Sequence, residues 1–253
     1  MPATRPLILI TNDDGYDAPG IAALVESVEG LGRIVVAAPD REQSGASHSL
    51  TLDRPLRVRT IAEDRYRIDG TPTDCVHLAV DRLCGRLPDL VLSGINRGLN
   101  VGDDVTYSGT VAGALEGALL RIPAVAISAA LPPEGPIDYR QAAKIARRVA
   151  ERVLADGLAT GTLLNVNVPH GPAKGIRLTR QGTREYRATA IERTDPAGRP
   201  YYWIADIDMT PTGEPDGDHT AAAEGFISIS PLHTNMTHER SLETLASWIE
   251  GLL

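Results

Sequence analysis

Asn12, Asp13 and Asp14 form the group in this chain best suited to chemistry: an amide and two adjacent carboxylates, preceded by the apolar run Leu7–Ile10 and closed by Gly15. At the carboxyl end of a buried strand, such a group lies where open α/β sheets bind ligands. Adjacent carboxylates repel each other and lose hydration on burial, so a cation between them is a natural remedy. The plainer reading is an Asx-turn that caps the next helix, since Asp-Asp-Gly is common in loops.

Other polar loops follow the same grammar. Ile34–Ala38 is followed by Pro39-Asp40-Arg41-Glu42-Gln43-Ser44-Gly45-Ala46-Ser47-His48-Ser49. Leu90–Leu92 is followed by Ser93-Gly94-Ile95-Asn96-Arg97-Gly98-Leu99-Asn100, and Tyr107-Ser108-Gly109-Thr110 opens a helix rich in Ala and Gly. Parallel strands would bring all these loops to one edge of a sheet. Two carboxylates, a hydroxyl and an amide carbonyl are hard oxygen donors, suited to Mg²⁺ or Mn²⁺ and poorly suited to structural zinc. Ser108-Gly109-Thr110 at a helix start offers backbone N–H groups and the positive dipole end, an anion seat without lysine. A hard cation beside an anion seat points to phosphate-ester chemistry.

The elements that must position these loops are legible as short apolar runs at Leu7–Ile10, Ile34–Ala38, Leu90–Leu92, Ala124–Ile127 and Leu163–Val168. They are partly β-branched and not strictly alternating, as expected of strands buried on both faces. Helical patterns fall between them: Pro19 to Gly30, Thr71-Pro72 to Leu83, Thr110 to Leu120, and Asp138 to Asp156. Thr71 and Pro72 read as N-cap and first helical residue. The expected architecture is α/β, a Rossmann-like three-layer core over residues 1–170 with a mostly parallel sheet. Residues 171–253 would add a projecting β-hairpin arm (about 175–225), a last strand at Phe226–Ser230 and a helix at Ser241–Leu253. Within the arm, Gly175–Gly182 reads as a strand, Arg184–Asp195 as weakly structured and Thr210–Thr220 as a polar loop. Tyr201, Tyr202 and Trp203 hold three of the chain's ten aromatic residues, a concentration better explained by a partner subunit than by the arm's own core.

Composition narrows the options. A length of 253 residues suffices for a real core, and a net charge of −8 argues against a nucleic-acid polymer as partner. No apolar run approaches the roughly 20 residues needed to cross a membrane, and no signal-peptide pattern opens the chain. Cys75 and Cys84, nine positions apart in one helix, are neither a metal motif nor a disulfide, so a reduced, cytoplasmic protein is expected. Lys144 and Lys174 are the only lysines and neither lies in a glycine-rich loop, which removes Walker-type phosphate binding and disfavours Schiff-base chemistry. HExxH and GxSxG are absent as well. Cys75 is read as a small core residue, His48 as a surface residue rather than an acid catalyst, and His77 as structural, on a helix facing the sheet or its rim. His219, His233 and His238 are read as solvent or interface residues.

Five ordered motifs, Asn12-Asp13-Asp14-Gly15 with Ala18-Pro19-Gly20, Ala37-Ala38-Pro39 with Gln43-Ser44-Gly45, Gly70-Thr71-Pro72-Thr73-Asp74-Cys75, Ser93 through Asn100, and Tyr107 through Ala112, resemble the SurE family of stationary-phase survival proteins. The resemblance runs to Gly225–Leu232, nearly the whole chain. It departs where the family has Gly-Thr-Asp before the last strand and this chain has Asp216-Gly217-Asp218, which bears on the arm's packing and not on the metal site. The resemblance implies a nucleotidase acting on nucleoside 5′- and 3′-monophosphates, with one divalent cation per subunit (Mg²⁺ or Mn²⁺) held by Asp13, Asp14, Ser44 and Asn96. It also implies a hairpin exchanged between subunits of a homodimer or homotetramer. The candidate catalytic residues are then Asp13, Asp14 and Thr110, and the phosphate cradle Asn12, Gly45, Asn100, Ser108, Gly109 and Thr110. Two readings from other classes are a nucleotide-binding domain and a receiver-like signalling domain, both without turnover. The first lacks GxGxxG after the first strand. The second lacks the acceptor Asp after the third strand and the late lysine.

Overall fold

A computed structural model describes residues 5–185, 190–204, 210, 211, 213–250 and 252. In chain order, β1 (Leu7–Thr11), α1 (Pro19–Val28) and β2 (Arg33–Pro39) are followed by a pair, β3 (Val58–Ala62) and β4 (Arg65–Ile68), then α2 (Pro72–Leu78). β5 (Leu90–Arg97), α3 (Gly109–Leu119), β6 (Ala124–Ala129), α4 (Arg140–Asp156) and β7 (Thr162–Val168) complete the alternating part. The remainder holds β8 (Ile176–Leu178), β9 (Arg184–Glu185), β10 (Ala190–Thr194), β11 (Pro200–Ile204), β12 (Thr210–Pro211), α5 (Asp218–Ala223), β13 (Ile227–His233) and α6 (Glu239–Ile249).

A nine-stranded sheet runs in the order β3-β4-β2-β1-β5-β6-β7-β13-β8. The six strands from β4 to β7 are mutually parallel, while β3 is antiparallel to β4 and β13 antiparallel to β7. Side chains alternate across the sheet, so Ile8 and Ile10 pack with α1 and α4 while Leu7 and Leu9 pack with α2 and α3. Both faces are thus covered, as parallel sheets require, and each fully buried Leu or Ile contributes about 1.5–3 kcal/mol. α3 reaches the sheet because it is nearly devoid of bulk. A methyl on Gly113 would sit 2.8 Å from Thr11 Cγ2 and 2.9 Å from Ser93 Oγ.

The three-layer expectation holds, and Thr71 caps α2 through a reciprocal capping box with Asp74. Several local expectations give way. β3 and β4 lie in a stretch with no continuous apolar run, because most of their residues face water; the tight turn between them is made by Asp64 at φ 57°. Only Ile176–Leu178 of the expected Gly175–Gly182 strand is extended, and it joins the main sheet beside β13. Arg184–Asp195 is not weakly structured where it is described: Ala190–Thr194 pairs with Pro200–Ile204 in a two-stranded antiparallel hairpin. Thr210–Thr220 is not all loop, since α5 begins at Asp218. The C-terminal helix starts two residues early, at Glu239, and residues 251 and 253 of its expected span lie outside the described residues. Among the described residues, the strands that stand outside the main sheet are β9 to β12.

Candidate functional site

β1 delivers Asn12, Asp13 and Asp14 to the carboxyl edge of the sheet, and Gly15 at φ 98° turns the chain toward α1. Asn12 Nδ2 donates to Gly15 O at 2.9 Å, which holds the turn. Asn12 Oδ1 is buried and has no partner among the described residues. This acceptor oxygen is therefore available to a donor or a cation from outside the chain.

Asp13 is the most confined carboxylate of the loop, 4% exposed. Its carbonyl accepts from Gln43 N at 2.8 Å, which draws in the loop after β2. Its carboxylate accepts from the Thr110 hydroxyl on the first turn of α3. Gly109 is what permits this proximity, for a methyl there would lie 2.7 Å from Asp13 Cβ and 3.0 Å from Oδ2. Burial pushes the Asp13 carboxyl up to about 6, against the opposing pull of Thr110 and with the Asp14 charge adding to the rise. Burial also raises Asp14, with Glu42 adding; its Oδ2 accepts from Arg97 N at 3.0 Å, which counteracts the rise. Burial thus makes ionisation of both neighbouring carboxylates costlier than in water, a cost that a cation between them would offset.

The loop after β2 is anchored on both sides of Ser44 and Gly45. Gln43 N reaches Asp13, while Ser47 N and Oγ donate to Tyr107 O at 3.1 Å and Thr106 O at 2.6 Å. Ser44 itself is exposed and its hydroxyl donates to Glu42 Oε1 at 2.8 Å. Asn96 stands near the end of β5, beside the Arg97 amide that binds Asp14. Its Nδ2 donates to Gly98 O at 2.9 Å, which turns the amide oxygen the other way. Ser108 caps α3 by accepting from Val111 N at 3.1 Å. Asn100 is more deeply engaged: its side chain donates to Ser128 Oγ, its N–H to Asn167 Oδ1, and its carbonyl accepts from Asn165 and Asn167. The structure therefore brings Asp13, Gly109 and Thr110 into direct contact and ties the Ser44 and Asn96 loops to the acidic pair, whereas Asn100 is committed to the strands behind.

One constellation has no counterpart in the sequence reading. Glu116 of α3, 6% exposed, receives His48 Nε2 at 2.9 Å on one oxygen and His77 Nδ1 at 3.0 Å on the other. Burial would raise the Glu116 carboxyl, but the two imidazole hydrogen bonds outweigh it and hold it below its ordinary value. His48 is thus an anchor for the Ser44 loop rather than a free surface residue. His77 stays half exposed at the sheet's rim. The available signal was Glu116 standing as the single charge in a helix of small residues.

Among the described residues, no three His, Cys, Asp or Glu side chains gather to hold a metal by themselves. A cation at this edge would need the mixed set of two carboxylates, a hydroxyl and an amide oxygen, and the bare Asn12 oxygen and the desolvated acidic pair fit such an ion. Fold and edge together define the class: a doubly wound α/β protein whose candidate site is built from the loops after β1, β2 and β5 and the start of α3. The chain belongs to the SurE family, whose description, survival protein SurE, matches residues 8–188. It is 50% identical over 248 residues to a protein of Syntrophotalea carbinolica named 5′-nucleotidase SurE, covering 96% of this chain and 97% of that one. The Geotalea daltonii protein of the same name is 48% identical over 244 residues, covering 95% and 98%. The crystal structure of the SurE protein from Aquifex aeolicus superposes with a TM-score of 0.83 at 45% identity, covering 96% of this chain and 99% of that one.

Proposed function

We propose that this chain is a divalent-metal-dependent nucleotidase that hydrolyses nucleoside 5′- and 3′-monophosphates, a phosphomonoesterase of the 5′-nucleotidase type. The observation that carries the reading is the buried Asp13, with half-buried Asp14 beside it, in contact with the first turn of α3. The names of the relatives supply the nucleotide. Asp13, Asp14, Ser44 and Asn96 would hold one Mg²⁺ or Mn²⁺ per subunit. When bound, that ion neutralises phosphate charge and lowers the pKa of water.

The chain's own residues do the rest. Asn12, Gly45, Asn100, Ser108, Gly109 and Thr110 form the phosphate cradle, Asn100 by fixing the backbone that leads into it. The Gly109 N–H and the positive end of α3 stabilise the phosphoryl oxygens as charge develops. Thr110 serves the cradle indirectly, its one hydroxyl proton fixing the Asp13 carboxylate beside it. Water is the nucleophile in this scheme, because both carboxylates would serve as ligands, and a phosphorylated aspartate trapped during turnover would overturn that assignment.

The working form is a homodimer or homotetramer. Tyr202, Trp203 and Ile204 are 62%, 65% and 87% exposed on the hairpin, and an isolated hairpin is marginal in water without a covering surface. Two buried free thiols, Cys75 and Cys84, support a reducing, cytoplasmic setting. Among the described residues no helix is long and apolar enough to cross a membrane. The test is release of phosphate from a nucleoside monophosphate and from an aryl phosphate with Mn²⁺. Steady turnover abolished by chelator is expected. Saturable nucleotide binding without phosphate release would replace the reading by that of a binding or signalling domain.

A further inference from the structure

Gly102 occupies the turn between the loop after β5 and the first residues of α3, and the C-terminal part of the chain holds both of its backbone polar groups. Its N–H donates to both oxygens of Asp218, at 3.1 and 3.0 Å, and its carbonyl accepts from Gln181 Nε2 at 3.0 Å. Asp218 is fully buried, and its Oδ1 also accepts from Gly182 N at 3.0 Å and from His219 N at 2.7 Å. The same carboxylate therefore joins three backbone segments.

Two of those segments are the legs of the hairpin arm. Asp218 N donates to Arg180 O and Arg180 N to Asp216 O, each at 2.9 Å. Thr183 and Glu214 close the next rung through the Thr183 hydroxyl at 3.0 Å. The arm thus leaves and returns through one stitched base. The third segment leads to the site: from Gly102 a single 3-10 turn runs to Thr106, and Ser108 N is bonded back to Asp104 O at 3.0 Å before α3 begins at Gly109. Upstream of Gly102, Asn100 is pinned to Asn165 and Asn167 of β7. The chain entering α3 is thus held at Asn100 from behind, at Gly102 by Asp218 and Gln181, and nearer the helix by Ser47 on Thr106 and Tyr107. Hydrogen bonds to a buried carboxylate are charge-assisted, so losing them lets the Gly102 backbone shift.

We propose that Asp218 is a positioning residue for the phosphate seat, the point through which the base of the arm sets the place of Gly109 and Thr110. The inference rests on the nucleotidase reading of that seat, and it makes phosphate affinity depend on a residue outside the span 8–188 that the family description matches. Asp218→Asn keeps one acceptor oxygen and the shape while removing the charge. It is expected to weaken binding of inorganic phosphate to the Mn²⁺-loaded protein about tenfold, the size of one lost charge-assisted hydrogen bond, and to raise KM for an aryl phosphate in parallel. Mn²⁺ affinity should fall by less than phosphate affinity, because Asp14, Ser44 and Asn96 are held by bonds that do not pass through Gly102 and only Asp13 is bonded to Thr110.

Gln181→Ala loosens the same glycine from its carbonyl side without touching the buried carboxylate. It should shift phosphate affinity in the same direction by about threefold, and it decides the matter if Asp218→Asn fails to fold. A lower melting temperature with unchanged phosphate affinity and unchanged KM in both variants would reduce the clamp to a purely structural one and overturn the inference. If the wild type binds phosphate but never turns over an ester, the nucleotidase reading falls, and the comparison of phosphate affinity between wild type and variants still decides the role of Asp218.

Discussion

Two regions of this molecule invert the usual placement of side chains, in opposite senses. At the carboxyl edge, Asn12, Asp13, Ser93 and Thr110 are polar and buried. In the hairpin of β10 and β11, Tyr201, Tyr202, Trp203 and Ile204 are apolar or aromatic and exposed. Each inversion has a cost, desolvation of polar groups in the first case and exposure of hydrocarbon in the second. Each cost names its remedy: an ion and an anion for the edge, a protein surface for the arm. Breaking either region should therefore give a different signature, one in chemistry and one in assembly.

The largest expected effect is at Asp13. Asp13→Asn removes a charge that a divalent cation needs, and turnover should fall by more than about a hundredfold, with metal affinity falling too. Stability should move the other way. The Asp13 carboxyl stands at about 6 in the folded, metal-free chain, above its ordinary 3.8. Ionisation therefore opposes folding, and the contribution present below pH 4 is lost as pH rises through 6, a swing on the order of 3 kcal/mol. At pH 8 the metal-free Asp13→Asn protein should melt above wild type, and wild-type Mn²⁺ affinity should drop about tenfold per unit as pH falls below 6. Full activity in the variant with unchanged metal affinity would remove Asp13 from the site.

Gly109→Ala tests the same edge more gently. Alanine is ordinarily the better helix former by about 0.5–1 kcal/mol. Here its methyl would meet Asp13 Cβ at 2.7 Å, so the acidic loop or α3 must shift. We expect a loss of turnover of about tenfold to a hundredfold, since small displacements of catalytic groups are costly, and an unchanged oligomeric state by light scattering. Wild-type kinetics would mean that the contact between α3 and Asp13 is not required.

The contrast also explains what the sequence made legible. Five of the six parallel strands were visible because burial on both faces demands continuous apolar runs, and the acidic loop and the Ser-Gly-Thr helix start because their residue types are suited to a cation and an anion. β3 and β4 were invisible for the converse reason: Val58–Ala62 is exposed along its length and carries no burial pattern. The Glu116 bridge to His48 and His77, and the Asp218 clamp on Gly102, join residues 68, 39 and 116 positions apart. No local spacing announces such pairs, because they are created by the fold that the apolar runs produce. Asp218 had the further disguise of a Pro, Gly and Asp-rich stretch that reads as loop.

The smallest effect on chemistry, and the clearest on assembly, belongs to the arm. Removing residues 186–211 with a short Gly-Ser bridge retains Gln181, Glu214 and Asp218, so the stitched base and its hold on Gly102 survive. The shortened chain should keep wild-type phosphate affinity within about twofold, since no bond to Gly102 is altered. Its oligomeric state by light scattering at micromolar concentration should fall, because the exposed run Tyr201–Ile204 is gone. Trp203→Ser with Ile204→Ser should act in the same direction without shortening the chain. Both side chains face solvent in the isolated subunit, so their loss alters subunit stability by no more than about 0.5 kcal/mol. At an interface, by contrast, a buried tryptophan is commonly worth 2 kcal/mol or more, about thirtyfold in the dissociation constant. A wild-type protein that is already monomeric would show that the arm's aromatic face serves something other than a second copy of this chain. An intact oligomer after both changes would place the contact outside the arm, with the exposed Leu242, Leu245 and Trp248 of α6 the next surface to test.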